Sequence, residues 1–220
     1  MTDKEHLLNN FILQGSIENK KDFILKQFSK ESSVLDVGCI GQAIDNKSNS
    51  WLHGILCQHS DNVVGVDINE EKIIEVKKAG YNIFHTTELT NAHHFDVIVM
   101  GDIIEHVSDV NIFLEFYAKH LKPGGKMVIT TPNPFSFRQI LNIFFFKRPF
   151  INVEHTCYLD PYVMFEVLDR SGLKISDFAW IKEHEAPKTF TSKILTGISR
   201  MMYKIRRYYA PNFGIVCMKS

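Results

Sequence analysis

In the stretch FDVIVMGDIIEHV, Phe95 to Val107, Asp102, Glu105 and His106 stand at i, i+3 and i+4. On a helix that spacing puts two carboxyl groups and an imidazole on one face. Such a set can take a proton from an acceptor or hold a divalent ion that lowers an acceptor hydroxyl's pKa. The plainer alternative is a helix start capped by Asp102, with Glu105 and His106 shaping the loop. A second imidazole, His155, lies in NVEHTCYLDPYVMFEVLDRSGL with Tyr158 nearby, shortly before the helix start Asp160-Pro161. Upstream, VLDVGCIGQ, Val34 to Gln42, carries Asp36, Gly38 and Gly41. A strand ending in an acidic residue and a glycine turn presents backbone N–H groups to a ligand at a sheet's C-terminal edge. VVGVDIN ends in Asp67, a carboxylate able to accept both hydroxyls of a ribose. Together these two blocks point to an adenosine-containing ligand.

These residues need a sheet to hold them. Short apolar runs of strand type fall at Ser33 to Val37, Asn62 to Asp67, Tyr81 to His85, Phe95 to Met100, Gly125 to Thr130, Leu173 to Ile181 and Phe213 to Met218. Helical patterns separate most of the first five: Ile73, Ile74 and Val76 lie among Glu and Lys, and Ile112, Phe113, Phe116 and Tyr117 share one face. Strands alternating with helices predict a mostly parallel sheet covered on both faces, with the last two strands as an antiparallel edge. Residues 1–30 read as a helical cap that packs on the sheet or also closes a cleft, through Leu7, Leu8, Phe11, Ile12, Phe23, Ile24 and Phe28. DNKSNS, Asp45 to Ser50, reads as a polar loop.

LKPGGKMVITTPN, Leu121 to Asn133, adds a Pro-Gly-Gly turn feeding a strand. The four blocks in this order resemble the class I S-adenosylmethionine-dependent methyltransferases, nearest to the ubiquinone-type and glycan-modifying O-methyltransferases, over about residues 30–182. The resemblance implies a Rossmann-like α/β fold with seven strands in the order 3-2-1-4-5-7-6 and S-adenosylmethionine lying across strands 1, 2 and 4. It places Asp36, Gly38 and Gly41 at the methionine and sugar side, Asp67 on the ribose, Ile68 on the adenine, and Met100 and Asp102 at the methionine end. Thr86, Thr87 or Glu88 would meet the adenine. It implies His106 and His155 as catalytic candidates, with a ring hydrogen bond of purely structural role as the alternative for His155. A magnesium-type cation would sit on Asp102, Glu105 and His106. The acceptor would be a small molecule or glycan, carried on a lipid or phosphate. The sequence departs from the family's G-x-G-x-G loop, which here reads Gly38-Cys39-Ile40-Gly41-Gln42, so a cofactor-binding scaffold without catalysis stands as the competing function. A nicotinamide dehydrogenase is disfavoured because Gly38, Ile40 and Ala43 occupy the G-x-G-x-x-G positions.

The whole chain, 220 residues, reads as one domain. Its 25 basic and 25 acidic residues exclude a wholesale basic surface, yet the balance is uneven. From Ala186 to Ser220 there are seven basic residues (Lys188, Lys193, Arg200, Lys204, Arg206, Arg207 and Lys219) and no acidic one. Ile194, Leu195, Ile198, Met201, Met202 and Ile205 fall within one helical arc of this tail, opposite Lys193, Arg200, Lys204 and Arg207. The basic amphipathic insertion, 187–210, either docks on its own acidic domain or makes peripheral membrane contact through 192–209; no nucleic-acid module is recognisable. Residues 134–155 read as a lid, with Ile143 to Phe146 as an aromatic wall or a lipid-facing patch, and Arg138, Lys147 and Arg148 as candidate phosphate holders. Four scattered cysteines, no apolar leader in MTDKEH and no long apolar run predict a cytoplasmic chain with reduced thiols.

Overall fold

A computed structural model describes residues 9–10, 13, 15–41, 51–149, 152–183 and 189–219. Leu7, Leu8, Phe11 and Ile12 of the cap, Ala43 and the loop Asp45 to Ser50 lie outside the described residues. Eight strands form one sheet: β1 (Ser16–Ile17), β2 (Ser33–Val37), β3 (Asn62–Asp67), β4 (Ile83–His85), β5 (Phe95–Gly101), β6 (Leu121–Pro132), β7 (Leu173–Ile181) and β8 (Asn212–Lys219). Their order is β4-β3-β2-β5-β6-β8-β7-β1, with β8 antiparallel to both neighbours and every other pair parallel.

From β2 onward this is the predicted order. The addition is β1, which pairs Ser16 with Trp180 and Ile17 with Ile181 and makes eight strands of the expected seven. Two residues are too few to show a strand's period, which is why a helical reading of residues 1–30 passed over them.

Among the described residues seven α-helices of a turn or more flank the sheet: α1 (Lys20–Leu25), α2 (Leu52–His59), α3 (Glu70–Lys78), α4 (Val110–Ala118), α5 (Phe137–Phe146), α6 (Pro161–Arg170) and α7 (Phe190–Ile205). Side chains fix most of the starts. Asn19, Asn69, Asp109, Asp160 and Thr189 each accept a backbone N–H from the first turn that follows, and Pro161 stands at the first position of α6.

The strands are apolar on both faces, as a sheet covered on both sides requires. Successive residues of β5 part accordingly. Ile98 and Met100 join a core with Leu114, Tyr117, Met164 and Leu168 of α4 and α6, while Val97 and Val99 join Phe23, Ile24 and Leu56 of α1 and α2. Phe23 lies flat against β8, where a Cβ on Gly214 would come 2.5 Å from its ring. Burying Phe23 and Ile24 contributes roughly 1.5–3 kcal/mol each, enough to hold a six-residue helix that could not form alone. The strand order reverses between β2 and β5, and the C-terminal ends of β2, β3, β5 and β6 there carry the residues singled out above.

Candidate active site

The turn after β2 is a tight one. Gly38 has φ +69°, and a Cβ there would lie 2.7 Å from Ile103 Cδ1, so glycine is required for both backbone and space. The N–H groups of Gly38 and Cys39 donate to Val66 O at 2.9 and 3.3 Å, and Ile40 N donates to Asp67 Oδ2 at 2.8 Å. Asp67 Oδ1 accepts from Ile68 N and Asn69 N at 2.8 and 3.0 Å. Three of the carboxylate's roughly four acceptor positions are thus filled. In this arrangement Asp67 has room for one ribose hydroxyl rather than two, and it also fastens the glycine loop. Next to it Ile68 is 78% exposed, an apolar side chain standing in the open, and a Cβ on Gly41 would meet nothing within 4 Å. Thr86 Oγ1 donates to Asp67 O, whereas Glu88 is occupied by His85 N of its own turn.

Two of the expected cofactor contacts are corrected by the pleat. Leu35 and Val37 point to the α4 side, so Asp36 points to the other face, where its carboxylate meets His53 Nδ1 of α2 at 3.1 Å in full burial. Burial pushes the Asp36 carboxyl up. Burial opposes charge on His53 as well, but the Asp36 carboxylate beside it wins and holds the imidazole up at about 9. The pair braces the loop from beneath. Met100 is fully buried in the α4–α6 core, so only its backbone borders the open edge.

After β5 the chain turns sharply. Asp102 has φ +53° and its N–H donates to Thr130 O at 2.9 Å; its carboxylate accepts from Thr130 Oγ1 at 3.2 Å and is ion-paired with Lys20. A short 3-10 turn, Ile104–His106, follows instead of an α-helix, so Asp102, Glu105 and His106 do not share a helical face. Glu105 turns inward, 3% exposed, and accepts from Thr131 Oγ1 at 3.0 Å. Burial, reinforced by the Asp102 charge, raises its carboxyl to about 7.

The backbone of Glu105 does something the sequence did not foretell. Its carbonyl accepts from Thr156 N at 2.9 Å and Cys157 N at 3.3 Å, and Thr156 Oγ1 reaches Val107 O at 2.9 Å. This stitch lays residues 155–157 along the turn and brings His155 edge-on to His106, ring centroids 4.7 Å apart. Tyr158 follows at 6.2 Å from His155. Burial first, then the neighbouring His106, lowers the His155 pKa, so this imidazole is held neutral, with a lone pair available to a proton.

The expected metal set is therefore replaced. Glu105, His106 and His155 offer ligand atoms within 4.8 Å of one another, while Asp102 is neutralised by Lys20. Two imidazoles and a single carboxyl do not suit a magnesium-type ion, which prefers an all-oxygen set. Lys20, His53, Thr130 and Thr131 are the site residues that sequence reasoning missed. The Thr-Thr-Pro-Asn run closing β6 was a usable signal for the two threonines, because hydroxyls at a C-terminal strand end face the ligand edge. Nothing local marked Lys20 or His53.

Known proteins place the chain. A methyltransferase-domain family model matches residues 12–177. Ubiquinone biosynthesis O-methyltransferase of Pelagibacter ubique is 30% identical over 129 residues, 51% of this chain and 50% of that protein. The human mitochondrial protein of the same name is 28% identical over 160 residues, 64% of this chain and 41% of that one. The chain thus spans about half or less of the length of these relatives. Among solved structures, a SAM-dependent methyltransferase from Archaeoglobus fulgidus superposes with a TM-score of 0.59 at 18% identity, covering 99% of this chain and 95% of that one. Family match, strand order and motif order agree: the chain belongs to the class I S-adenosylmethionine-dependent methyltransferases.

Proposed function

We propose that this chain methylates an oxygen of a small molecule or glycan, using S-adenosylmethionine and His155 as the base that removes the acceptor's proton. The observation that carries this reading is the convergence of His106 and His155 at 4.7 Å beside the open edge of β5 and β6. The residues on the cofactor side fit the donor: a required glycine at 38, an open Gly41, an acceptor position left on Asp67 and an exposed Ile68.

When bound, S-adenosylmethionine supplies a methyl group on a positively charged sulfur, which is already a good leaving group. What remains for the chain is alignment and one proton. Neutral His155 accepts that proton at a ring nitrogen, His106 packs against its ring, and Thr156 fixes its position through Glu105 O and Val107 O. Glu105, behind both, takes no direct part; it holds Thr131. No step passes through a metal. The names of the ubiquinone biosynthesis O-methyltransferases favour oxygen as the nucleophile.

The test is transfer of labelled methyl from S-adenosylmethionine to small-molecule and glycan fractions of host extracts, in excess chelator. An O-methyl product is expected, with the rate about 10²–10³-fold lower in His155→Ala and calorimetric affinity for S-adenosylhomocysteine unchanged. Label on nitrogen, full activity of His155→Ala, or transfer abolished by chelator and restored by magnesium would each overturn a stated part. Absence of any product with intact cofactor binding would favour the scaffold reading.

A further inference from the structure

The two helices that the methyl-transfer site does not use, α5 and α7, pack side by side. Arg138 of α5 joins them, donating to Ser192 O and Thr196 Oγ1 at 3.0 Å and to Ser192 Oγ at 3.2 Å. This guanidinium is thereby committed and is not the phosphate holder its sequence neighbours suggested. Of the predicted apolar arc only part turns to the domain: Leu195 is buried and Met202 half-buried, while Ile194, Met201 and Ile205 are exposed. Leu195, Thr196, Ser199 and Tyr203 are the buried residues of α7.

At about 100° per residue, Phe190, Ile194, Ile198, Met201 and Ile205 occupy roughly 80° of the opposite side, and Lys193, Arg200 and Lys204 run along one flank of that stripe. Phe190, Ile194, Met201 and Ile205 are all exposed, Phe190 by 78%. Beside them the C-terminal half of α5 stands out from the body: Ile143, Phe144, Phe145 and Phe146 are exposed, followed by exposed Lys147 and Arg148. The aromatic wall expected under a lid is therefore an outward-facing surface. Neither helix contains an acidic residue.

We propose that α5 and α7 together form a surface that lies in the interface of an anionic phospholipid bilayer, with the apolar stripe among the acyl chains and the flanking cations at the headgroups. Charge complementarity selects this occupant. An isologous contact with a second copy would bring the same-sign cations of both copies together. Nucleic acid could stack on Phe190 or Phe144 to Phe146 but would gain little from the aliphatic Ile194, Ile198, Met201 and Ile205 that make up most of the α7 stripe, whereas acyl chains accept both. An amphipathic helix with cations beside its apolar face is the form that a membrane surface takes up. Among the described residues no helix is long and apolar enough to cross a membrane, so the contact is one-sided.

The experiment is sedimentation of the full chain with phosphatidylglycerol–phosphatidylcholine vesicles and, in parallel, with phosphatidylcholine alone. Binding is expected to be at least about tenfold stronger to the anionic vesicles and to weaken with salt. Phe144→Asp and the pair Ile194→Asp/Met201→Asp, exposed positions whose change leaves the melting temperature unaltered, should each reduce partition about tenfold. A third variant, Lys193→Gln/Arg200→Gln/Lys204→Gln, should lose the preference for anionic vesicles while cofactor binding persists. The proposal falls if the intact chain stays in the supernatant with anionic vesicles or if binding survives all these substitutions. It falls equally if the chain self-associates without lipid in a way the Asp variants abolish, which would make a second copy the occupant.

Discussion

The two halves of the sheet's C-terminal edge are built differently. On the β2–β3 side the polar contacts along the edge end on backbone groups: Asp67 accepts from the N–H groups of its own next two residues and of Ile40, and Val66 O from those of Gly38 and Cys39, with the side-chain pair Asp36–His53 beneath them. On the β5–β6 side side chain meets side chain: Lys20 pairs with Asp102, Thr131 bonds Glu105, and His155 packs edge-on against His106. A shared ligand can be bound by a fixed local motif. An acceptor that differs from one enzyme to the next calls for a wall whose parts come from separate loops and change independently, the usual location of specificity.

The sharpest way to break this contrast is Asp67→Ala. It removes one acceptor from three N–H groups at once and frees the glycine loop from β3. Affinity for S-adenosylhomocysteine, measured by calorimetry, is expected to fall at least about a hundredfold, with a stability loss on the order of 2–4 kcal/mol from orphaned donors and lost charged hydrogen bonds. The acceptor half should not notice: the His155 pKa, followed by NMR, should stay where His106 and burial set it. Unchanged affinity would remove Asp67 from the cofactor site, and a moved His155 would show that the halves are not independent.

Glu105 tests the other half. Its folded pKa of about 7 lies above the ordinary glutamate value because burial, then Asp102, disfavours the charge. The folded chain therefore holds a proton that the unfolded chain has already released between about pH 4.5 and 7. Stability falls as pH rises through that window, by about 1.4 kcal/mol for each unit, or on the order of 3 kcal/mol in all. Glu105→Gln cannot ionise and keeps an amide beside Thr131. In urea titrations it should gain on the wild type by about 2 kcal/mol between pH 5 and pH 8, and an equal gap at both values would mean that Glu105 ionises freely.

This division also explains what was legible in the sequence. Strands β2, β3 and β7 appear at their predicted bounds because each is a short apolar run between turn signals. The glycine turn and Asp67 were legible because each stands at the end of such a run. Asp36 and Met100 were misplaced because a motif gives the strand end but not which way the pleat turns each side chain. Asp102, Glu105 and His106 were read at helical spacing, and the left-handed Asp102 followed by a 3-10 turn broke that geometry. The pairing of His106 with His155 depends on hydrogen bonds from Thr156 and Cys157 to one carbonyl, which no side-chain pattern records. In α7 the predicted arc is split: Leu195 turns to the domain with Thr196, Ser199 and Tyr203, while Ile194, Met201 and Ile205 stay exposed, and Arg138 ties the helix to α5.

The smallest expected effect belongs to Lys20, the residue that ties the N-terminal segment to the acceptor half. Phe23 and Ile24 anchor α1 beneath β8, so the helix itself does not depend on this lysine. Lys20 and Asp102 are partly exposed, 23% and 36%, so water screens the pair and its net stabilisation is about 1 kcal/mol or less. Lys20→Met, which keeps the stem and removes the charge, should lower the urea midpoint slightly. Its larger signature should be at the site: Asp102 loses its counter-charge while remaining bonded to Thr130, and a bare carboxylate next to Glu105 raises the Glu105 pKa further. The pH at which stability stops falling would then move upward in Lys20→Met, and this displacement should vanish in the double variant Lys20→Met/Glu105→Gln. A shift that persists without Glu105 would mean that Lys20 acts through another group, and the N-terminal segment would then be coupled to the site by a route other than Asp102.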